Sequence, residues 1–282
     1  MTNLFNTSAS FSGGAFALNL LWSALGVLLV LAITYAVALK QKRHGVIDVA
    51  WAMGFVVVAV VSFFASAGSN ADGGRRLLLL LAVALWGLRL AGFIGWRARD
   101  GKEDPRYEAM LAKAPGSANI YALQKVYLPQ GLVLFFVSLT IQVGMFSTAS
   151  LGWLAWLGIL AWLVGMFFET VGDAQLARFK ADPNTRGTVL NTGLWRYTRH
   201  PNYFGDAAVW VGLFLIAADS WPGVLTILSP ALMIWALAGK TGKPLTESRM
   251  SSRPGYREYI EATSGFFPLP PRKTRSSKQK EL

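Results

Sequence analysis

Residues 193–212, GLWRYTRHPNYFGDAAVWVG, combine cationic, aromatic and amide side chains in a stretch that leads into an apolar run. Pro201 restrains the residues before it to an extended turn and suits the first turn of a helix. The backbone amides of that helix start would face the same polar residues, which favours an anion site. A juxtamembrane basic turn with an aromatic belt is the alternative interpretation. The candidate binding residues are Arg196, Tyr197, Arg199, His200, Asn202 and Tyr203.

Ionisable residues also occur inside apolar stretches, where each costs roughly 2.5–3.5 kcal/mol at a helix centre unless it has a partner or water. Glu169 and Asp173 are four residues apart and share a helical face, so hydrogen-bond donors such as ribose hydroxyls are expected opposite them. One interpretation is that these residues line a common polar cavity. The other is that their side chains reach to the membrane interface or form structural ion pairs, such as Arg89 with Asp48. The full set is Asp48, Arg89, Glu169, Asp173 and Asp206.

Two further segments of the sequence combine cationic residues with tyrosines. In EDPRY, residues 103–107, Arg106 offers a bidentate partner for phosphate and Tyr107 a ring on which a base can stack, although many charged loops are simply solvated. The second cluster lies in residues 245–268, and its candidates are Glu247, Arg249, Arg253, Tyr256 and Tyr259.

The elements that must position these residues are apolar stretches of about 20 residues, the length that crosses the ~30 Å hydrocarbon core of a bilayer. With 53% hydrophobic and only 15% charged residues, the chain is too apolar for an ordinary soluble domain. The pattern predicts an all-α, multi-pass membrane protein with seven transmembrane helices. They are expected near residues 16–39, 46–67, 77–96, 128–148, 151–171, 204–218 and 221–238.

The basic residues predict the orientation of these helices. Of the 27 Lys and Arg residues, 24 fall in segments 40–45, 97–127, 172–203 and 239–282, which alternate with the remaining loops. By the positive-inside rule the chain is N-out and C-in. We expect a single transmembrane domain over residues 1–271 and a basic, disordered cytosolic tail over 272–282.

Composition and motifs also narrow the kinds of site and partner that this chain can have. The chain has no cysteine and two histidines, which makes a metal centre improbable. The net charge of +12 is confined to loops beside apolar spans, so we expect no nucleic-acid partner. There is no GxGxxG after a strand and no P-loop motif, and any nucleotide must therefore be held by helices and loops.

Taken in order, the motifs resemble the steroid 5α-reductase superfamily, in particular the bacterial membrane family related to the reductase C-terminal domain. The likeness covers about residues 40–270. It includes IDVAWAMGF, LWGLRL, EDPRY, ETVGD, RYTRHPNYFGD and the closing PGYREY and FFP.

The resemblance implies that the cofactor is NADPH. Members carry an Asn-aromatic-x-Gly-acid run followed by Trp and Gly, and this chain has a similar run with Asp in place of the usual Glu. The residues that match it are Asn202, Tyr203, Gly205, Asp206, Trp210 and Gly212. Asp173 resembles the acid that holds the nicotinamide nucleotide, and Arg89 resembles the arginine of the third span.

The residues that polarise the substrate ketone in animal reductases are only partly matched. Their Gln-Glu pair and Tyr correspond to Ile47-Asp48 and Trp86, so the hydroxyl is expected from Tyr107 or Tyr35. The predicted catalytic residues are therefore Asp48, Trp86 and Tyr107.

The predicted function is reduction of an enone C=C bond in a steroid or other hydrophobic lipid at a bacterial inner membrane, with membrane lipid and no obligate protein partner. S-adenosylmethionine-dependent methyltransferases of the isoprenylcysteine and phospholipid type share an RHPxY-type run and are the main alternative. A non-catalytic sterol- or lipid-binding membrane protein is the second alternative.

Overall fold

The computed structural model describes residues 11–240 and 242–272, and this part of the chain is helical without a single strand. The helices are α1 Gly13–Gln41, α2 Ile47–Ala65, α3 Gly73–Arg97, α4 Pro105–Leu111, α5 Ala118–Ala122, α6 Leu128–Val137, α7 Leu139–Gly144, α8 Trp153–Ala181, α9 Pro201–Ala218, α10 Leu228–Trp235, α11 Lys243–Met250 and α12 Tyr256–Ala262. Short 3₁₀ or π turns lie at His44–Val46, Leu123–Tyr127, Pro183–Thr185, Gly193–Arg196, Gly223–Ile227 and Ala236–Lys240.

Seven helical segments of the described chain are long and apolar enough to cross a membrane, which confirms the predicted all-α fold with seven spans. Their bounds are Gly13–Gln41, His44–Ala65, Gly73–Arg97, Ala118–Gly144, Trp153–Ala181, Pro201–Ala218 and Gly223–Met250. The protein is thus of the integral, multi-pass membrane class. The N-out and C-in orientation stays a prediction.

Three spans differ from their predicted bounds by ten residues or more at one end. The fourth begins at Ala118 rather than residue 128, because its first residues include polar Asn119, Gln124 and Lys125 and fall below the hydropathy of a span. The fifth and seventh extend beyond their apolar parts to Ala181 and Met250. Helical structure therefore continues past the apolar pattern that identified these spans.

Local sequence signals set several helix ends. The Asp72 side chain accepts a hydrogen bond from the Arg75 amide at 2.7 Å and caps α3. Asp104 caps α4 in the same way and is followed by Pro105 at the first helical position. Gly255, with φ of 77°, precedes α12.

The chain divides into two compact units. Unit 1 comprises Met1–Trp156 and Leu213–Ser229, and unit 2 comprises Leu157–Gly212 and Pro230–Leu282. The predicted single domain over 1–271 stays a prediction, and residues 273–282 of the predicted tail lie outside the described residues.

Unit 1 is held by apolar packing between α1, α2, α3, α6 and α7, with one buried ion pair. Arg75 is fully buried, pairs with Asp219 at 3.0 Å and donates to the Ser150 carbonyl at 2.9 Å. Asp219 also accepts hydrogen bonds from the amides of Gly152 and Leu154. A buried guanidinium needs this many partners, since an unpaired charge in an apolar interior is strongly destabilising.

Unit 2 is held by a close crossing of α8 and α9. A Cβ on Gly165 would lie 2.5 Å from the Val209 nitrogen, and one on Gly212 would lie 2.6 Å from the Gly158 carbonyl oxygen. A Cβ on Gly205 would collide with the backbone nitrogen of Glu169. Only glycine permits this approach, which places the start of α9 against the turn of α8 that carries Glu169 and Asp173.

Candidate functional site

Asp48 is the centre of a hydrogen-bonded cluster in unit 1. It lies in the first turn of α2, and its Oδ1 accepts the Tyr107 hydroxyl at 2.5 Å. Its Oδ2 accepts Arg106 Nη2, also at 2.5 Å. The Asp104 cap and Pro105 start α4 so that both donors lie on its first turn. Asp48 therefore pairs with Arg106 rather than with Arg89.

Tyr107 remains protonated in this cluster. Burial raises the pKa of its phenol, and the negative charge of Asp48 raises it further. The Gln130 amide donates weakly to the same hydroxyl, at 3.4 Å. The phenol is therefore a neutral donor bound to a carboxylate, a combination suited to hydrogen bonding and proton transfer at a carbonyl.

A polar hollow of about 180 Å³ opens beside Asp48 in unit 1. Its walls carry charges of both signs. The charged lining residues are Arg43, Asp48, Arg97, Asp100, Lys102, Glu103 and Asp104. Asp48 thus borders an open polar space.

Glu103 and His44 are site neighbours that the sequence analysis did not single out. Glu103 accepts the backbone amides of His44 at 2.5 Å and Gly45 at 2.8 Å, at the start of the second span. The buried His44 ring lies 3.3 Å from Tyr127 Oη and 3.1 Å from Asn119 Oδ1. Glu103 stands in the EDPRY motif, but nothing in that motif indicated a capping role.

Trp86 lies in the core of unit 1. Its side chain is fully buried, with its ring centroid 5.7 Å from that of Phe55. Within the described residues it takes no part in the hydrogen bonds of Asp48. Arg89 follows three residues later on α3 and is partly buried. The roles assigned to both residues stay predictions.

A second polar cluster lies in unit 2, where α8 meets the start of α9. Asn202 Nδ2 donates to Asp173 Oδ1 at 3.1 Å. Glu169 and Asp173 are both at least 95% buried, at 2% and 5% exposure. Asp206 is partly buried one turn after Asn202, and Trp210 is fully buried one turn further. The structure thus brings together the acids and the amide that the sequence had separated by about 30 residues.

Arg199 organises the adjacent part of unit 2. Its Nε donates to Glu247 Oε1 at 2.9 Å, and its Nη1 donates to the carbonyls of Thr263 at 2.6 Å and Ile260 at 3.2 Å. Its backbone amide donates to the Ser264 carbonyl at 2.9 Å. The side chain thereby links the turn before α9 to α11 and to α12 and its C-terminal end. The binding of a cofactor by Arg199 stays a prediction.

His200 is neutral beside this ion pair. Burial lowers its pKa to about 4, despite a hydrogen bond to Glu247 that acts in the opposite direction. Its Nε2 lies 3.2 Å from Glu247 Oε1, and its ring stacks on Tyr203 with centroids 5.2 Å apart. The Tyr203 hydroxyl contacts Thr246 Oγ1 at 3.2 Å. Tyr203 is therefore fixed on both sides.

The remaining candidates of unit 2 fall into two groups. Tyr256 is buried, with its ring 6.0 Å from that of Tyr259, whose hydroxyl donates to the Trp195 carbonyl at 2.6 Å. Arg196, Tyr197 and Arg249 are exposed. Only this second group presents its polar atoms to solvent.

Within residues 11–240 and 242–272, no group of three or more His, Asp or Glu side chains is placed to hold a metal ion.

The comparison with protein families matches residues 34–263 to the family described as "Protein of unknown function (DUF1295)". The chain belongs to this family. The matched residues include both polar clusters, from Asp48 to Glu247.

Two curated proteins are similar to this family member. An uncharacterised protein of Schizosaccharomyces pombe is 23% identical over 265 residues, which cover 84% of this chain and 76% of the relative. The steroid 5-alpha-reductase DET2 of Arabidopsis thaliana is 33% identical over 76 residues, which cover 26% of this chain and 28% of the plant protein. No solved structure matches the chain. The similarity to a named enzyme is thus local.

Proposed function

We propose that this protein catalyses the NADPH-dependent reduction of an enone C=C bond in a steroid or another hydrophobic lipid. The hydrogen bond between Tyr107 and Asp48 at 2.5 Å is the observation that carries the proposal. The local similarity to a plant protein named as a steroid 5-alpha-reductase supports a reductase-like activity. The polar hollow that Asp48 borders supports contact between this carboxylate and a ligand.

The chemistry assigned to the pair is stabilisation of an enolate. When bound, NADPH supplies the hydride that adds to the β-carbon. As negative charge develops on the carbonyl oxygen of the substrate, the hydroxyl of Tyr107 moves its hydrogen bond from Asp48 to that oxygen, and Arg106 keeps its hydrogen bond to the Asp48 carboxylate. A proton from solvent adds at the α-carbon and completes the reduction. The raised pKa of Tyr107 keeps the phenol in the form that donates.

The donor and acceptor groups of unit 2 fit NADPH. The carboxamide and ribose hydroxyls of the cofactor donate hydrogen bonds, and Glu169 and Asp173 supply buried carboxylate acceptors beside the Asn202 amide. The exposed guanidinium groups of Arg196 and Arg249 suit phosphate. Arg199 is engaged by Glu247 and backbone carbonyls, so we assign it the positioning of this region instead.

We further propose that both polar clusters open to the cytosol at a bacterial inner membrane. The charge distribution supports this side, because 24 of 27 basic residues fall in the alternate segments that include or adjoin these clusters. The substrate would then arrive from the bilayer as a hydrophobic small molecule.

Ligand-induced thermal stabilisation of the detergent-purified protein tests the cofactor. A ligand that binds only the folded state adds about 2.7 kcal/mol to the free energy of unfolding at a hundredfold excess over its Kd. We expect NADPH to raise Tm and S-adenosylmethionine to leave it unchanged. A rise with S-adenosylmethionine alone would replace reduction by methyl transfer, and no rise with either would favour a non-catalytic lipid-binding protein.

The Asp48→Asn variant tests the catalytic pair once an enone substrate has been found. We expect turnover to fall by about 10²–10⁴-fold, the usual contribution of acid–base catalysis, with the NADPH-induced Tm shift unchanged. Tyr107→Phe should behave in the same way because it removes the donating hydroxyl. Tyr35→Phe is the control, since Tyr35 contacts Tyr127 and His44 rather than Asp48. Unchanged turnover in Asp48→Asn would remove this residue from the mechanism.

A further inference from the structure

Lys243 is the first residue of α11, the helix that packs beside the start of α9 in unit 2. One helical turn further along α11, Thr246 Oγ1 contacts the Tyr203 hydroxyl at 3.2 Å. Glu247, next in the chain, accepts a hydrogen bond from Arg199 Nε at 2.9 Å. These contacts bring the start of α11, and with it the partly buried Lys243, next to the turn before α9.

A glycine leaves room beside the ammonium group of Lys243. A Cβ on Gly265 would lie 2.8 Å from Lys243 Nζ and 3.1 Å from Arg199 Nη2. The two atoms nearest to that position are thus the cationic nitrogens of two different side chains. Because glycine has no Cβ, both cations can lie over its backbone.

The backbone around Gly265 is fixed against the turn before α9. The Arg199 amide donates to the Ser264 carbonyl at 2.9 Å, and the Thr198 hydroxyl donates to the Phe266 carbonyl at 2.8 Å. Hydrogen bonds thus hold the residues on both sides of the glycine. The position over Gly265 is therefore a built feature of unit 2 rather than a loose loop.

Positive charge exceeds negative charge at this position. Glu247 is the acid that faces the cations, and its Oε1 is bound by both Nε and Nη2 of Arg199 at 2.9 Å. Within residues 11–240 and 242–272, Lys243 forms no ion pair of its own. Burial lowers the pKa of His200, and the positive charges of Arg199 and Lys243 lower it further, which shows that both act at short range. Two cations and one carboxylate leave a net positive charge that attracts an anionic group.

We propose that Lys243 and Arg199 form a binding site for a phosphate group over Gly265. The ammonium group of Lys243 donates a charge-assisted hydrogen bond to a phosphate oxygen, and the fixed guanidinium of Arg199 adds positive charge beside it. That NADPH supplies the phosphate rests on the proposed function. Asn202, three residues after Arg199, bonds Asp173, which is assigned there to the ribose and carboxamide of the cofactor. The diphosphate adjoins that ribose and is therefore the group expected at Lys243.

Thermal unfolding with inorganic pyrophosphate tests the phosphate site without the cofactor. At constant ionic strength, we expect pyrophosphate to raise the Tm of the detergent-purified wild type and to leave that of Lys243→Met unchanged, because a ligand stabilises only the state that it binds. Lys240→Met is the matched control, since it removes the same charge but Lys240 Nζ lies over the Trp235 ring, 5.1 Å from its centroid. This control should keep the wild-type shift. No shift in the wild type, or equal shifts in wild type and Lys243→Met, would overturn the site.

Gly265→Ala is a second variant that keeps both cations. Gly265 does not have a positive φ, and the atoms nearest to the added methyl group belong to the ends of flexible side chains, so the variant should fold. The methyl group occupies the position over the backbone and displaces Lys243, and we expect the pyrophosphate shift to disappear. If Lys243→Met does not fold, this variant decides, and a full wild-type shift in Gly265→Ala would reject the site.

Titration with NADPH separates this inference from the proposed function. Lys243→Met should raise the Kd for NADPH about 10–100-fold, as expected for the loss of a charge-assisted hydrogen bond, whereas Lys240→Met should stay close to wild type. An unchanged Kd in Lys243→Met would overturn the assignment of Lys243 to the cofactor. A wild type that binds pyrophosphate through Lys243 but does not bind NADPH would support the phosphate site and reject the proposed reductase function. In that case, stabilisation by phosphatidylglycerol that is lost in Lys243→Met would identify a lipid headgroup as the source of the phosphate.

Discussion

At the scale of residues, Asp48 illustrates how a costly group in a membrane span acquires its partners. The sequence marks it as an acid inside an apolar stretch, and the cost of placing a charge there requires a compensating partner. The compensation comes from Arg106 and Tyr107, nearly 60 residues further along the chain. Their short motif is positioned by the Asp104 cap and Pro105 at the start of α4. A residue-level pattern thus identified the acid and the tyrosine, while the fold decided that they meet.

His200 makes stability depend on pH in a defined direction. Its pKa is about 4 in the folded protein, chiefly because of burial, against an ordinary value near 6.5. Glu247 faces it and raises the pKa, whereas Arg199 and Lys243 lower it. Between about pH 6.5 and about pH 4 the unfolded chain therefore binds a proton that the folded protein does not.

We expect the free energy of unfolding to decrease as pH falls through this window, by at most about 3 kcal/mol from His200. Above about pH 6.5 the imidazole is neutral in both states and contributes nothing to the pH dependence. Thermal unfolding of wild type and His200→Gln across this range measures the effect. The wild-type curve should fall more steeply toward acid, and two parallel curves would contradict the prediction.

At the scale of elements, the glycines of α8 and α9 determine how the acidic cluster of unit 2 is built. Gly205 and Gly212 are seven residues apart and meet Glu169 and Trp162 of the other helix. Because the backbones touch, the first turn of α9 is brought next to Asp173 and Asn202 can bond it. The glycines of the Asn-aromatic-x-Gly-acid run are therefore packing residues, which its resemblance to a family motif did not explain.

Gly205→Ala should destabilise the protein, because the added methyl group would collide with the backbone of Glu169. Overpacking of this kind costs typically about 1–3 kcal/mol. Gly92→Ala on α3 is the matched control, since nothing lies within 4 Å of its Cβ position and alanine favours a helix. We expect a lower Tm only for Gly205→Ala, together with weaker NADPH binding. Equal Tm values for the two variants would show that the helices can separate without cost.

At the scale of the whole molecule, the apolar helices and the distribution of basic residues together determine how the protein is expected to lie in the membrane. Seven apolar helices make the bilayer the solvent for most of the chain. The basic residues concentrate in alternate loops, and this asymmetry sets the expected orientation. Both polar clusters fall in or beside those loops, so the proposed cofactor site and the predicted cytosolic side are linked.

Cysteine labelling can test the orientation directly, because the chain has no cysteine of its own. Ala67→Cys lies in the exposed loop between the second and third spans, and Ser251→Cys lies in the exposed segment after the seventh. In intact bacterial spheroplasts, a membrane-impermeant maleimide should label Ala67→Cys alone. Both should react after the membrane is opened with detergent. The reverse pattern in intact cells would invert the topology.

The sequence by itself determined the class of this protein and the identity of most candidate residues. The number of spans follows from the number of long apolar runs, because a helix must be about 20 residues long to cross the hydrocarbon core of a bilayer. Helix ends are less well determined: the fourth span begins ten residues before its apolar run, at Ala118. Helical hydrogen bonding needs no apolar side chains, so hydropathy alone does not show where a helix starts.

Only the tertiary structure decided which residues meet and what each polar group does. Asp48 bonds Arg106 and Tyr107, and Arg199 bonds Glu247 rather than solvent. These partners are far apart in the chain, and their contacts depend on how helices pack, for which a single sequence carries no local signal.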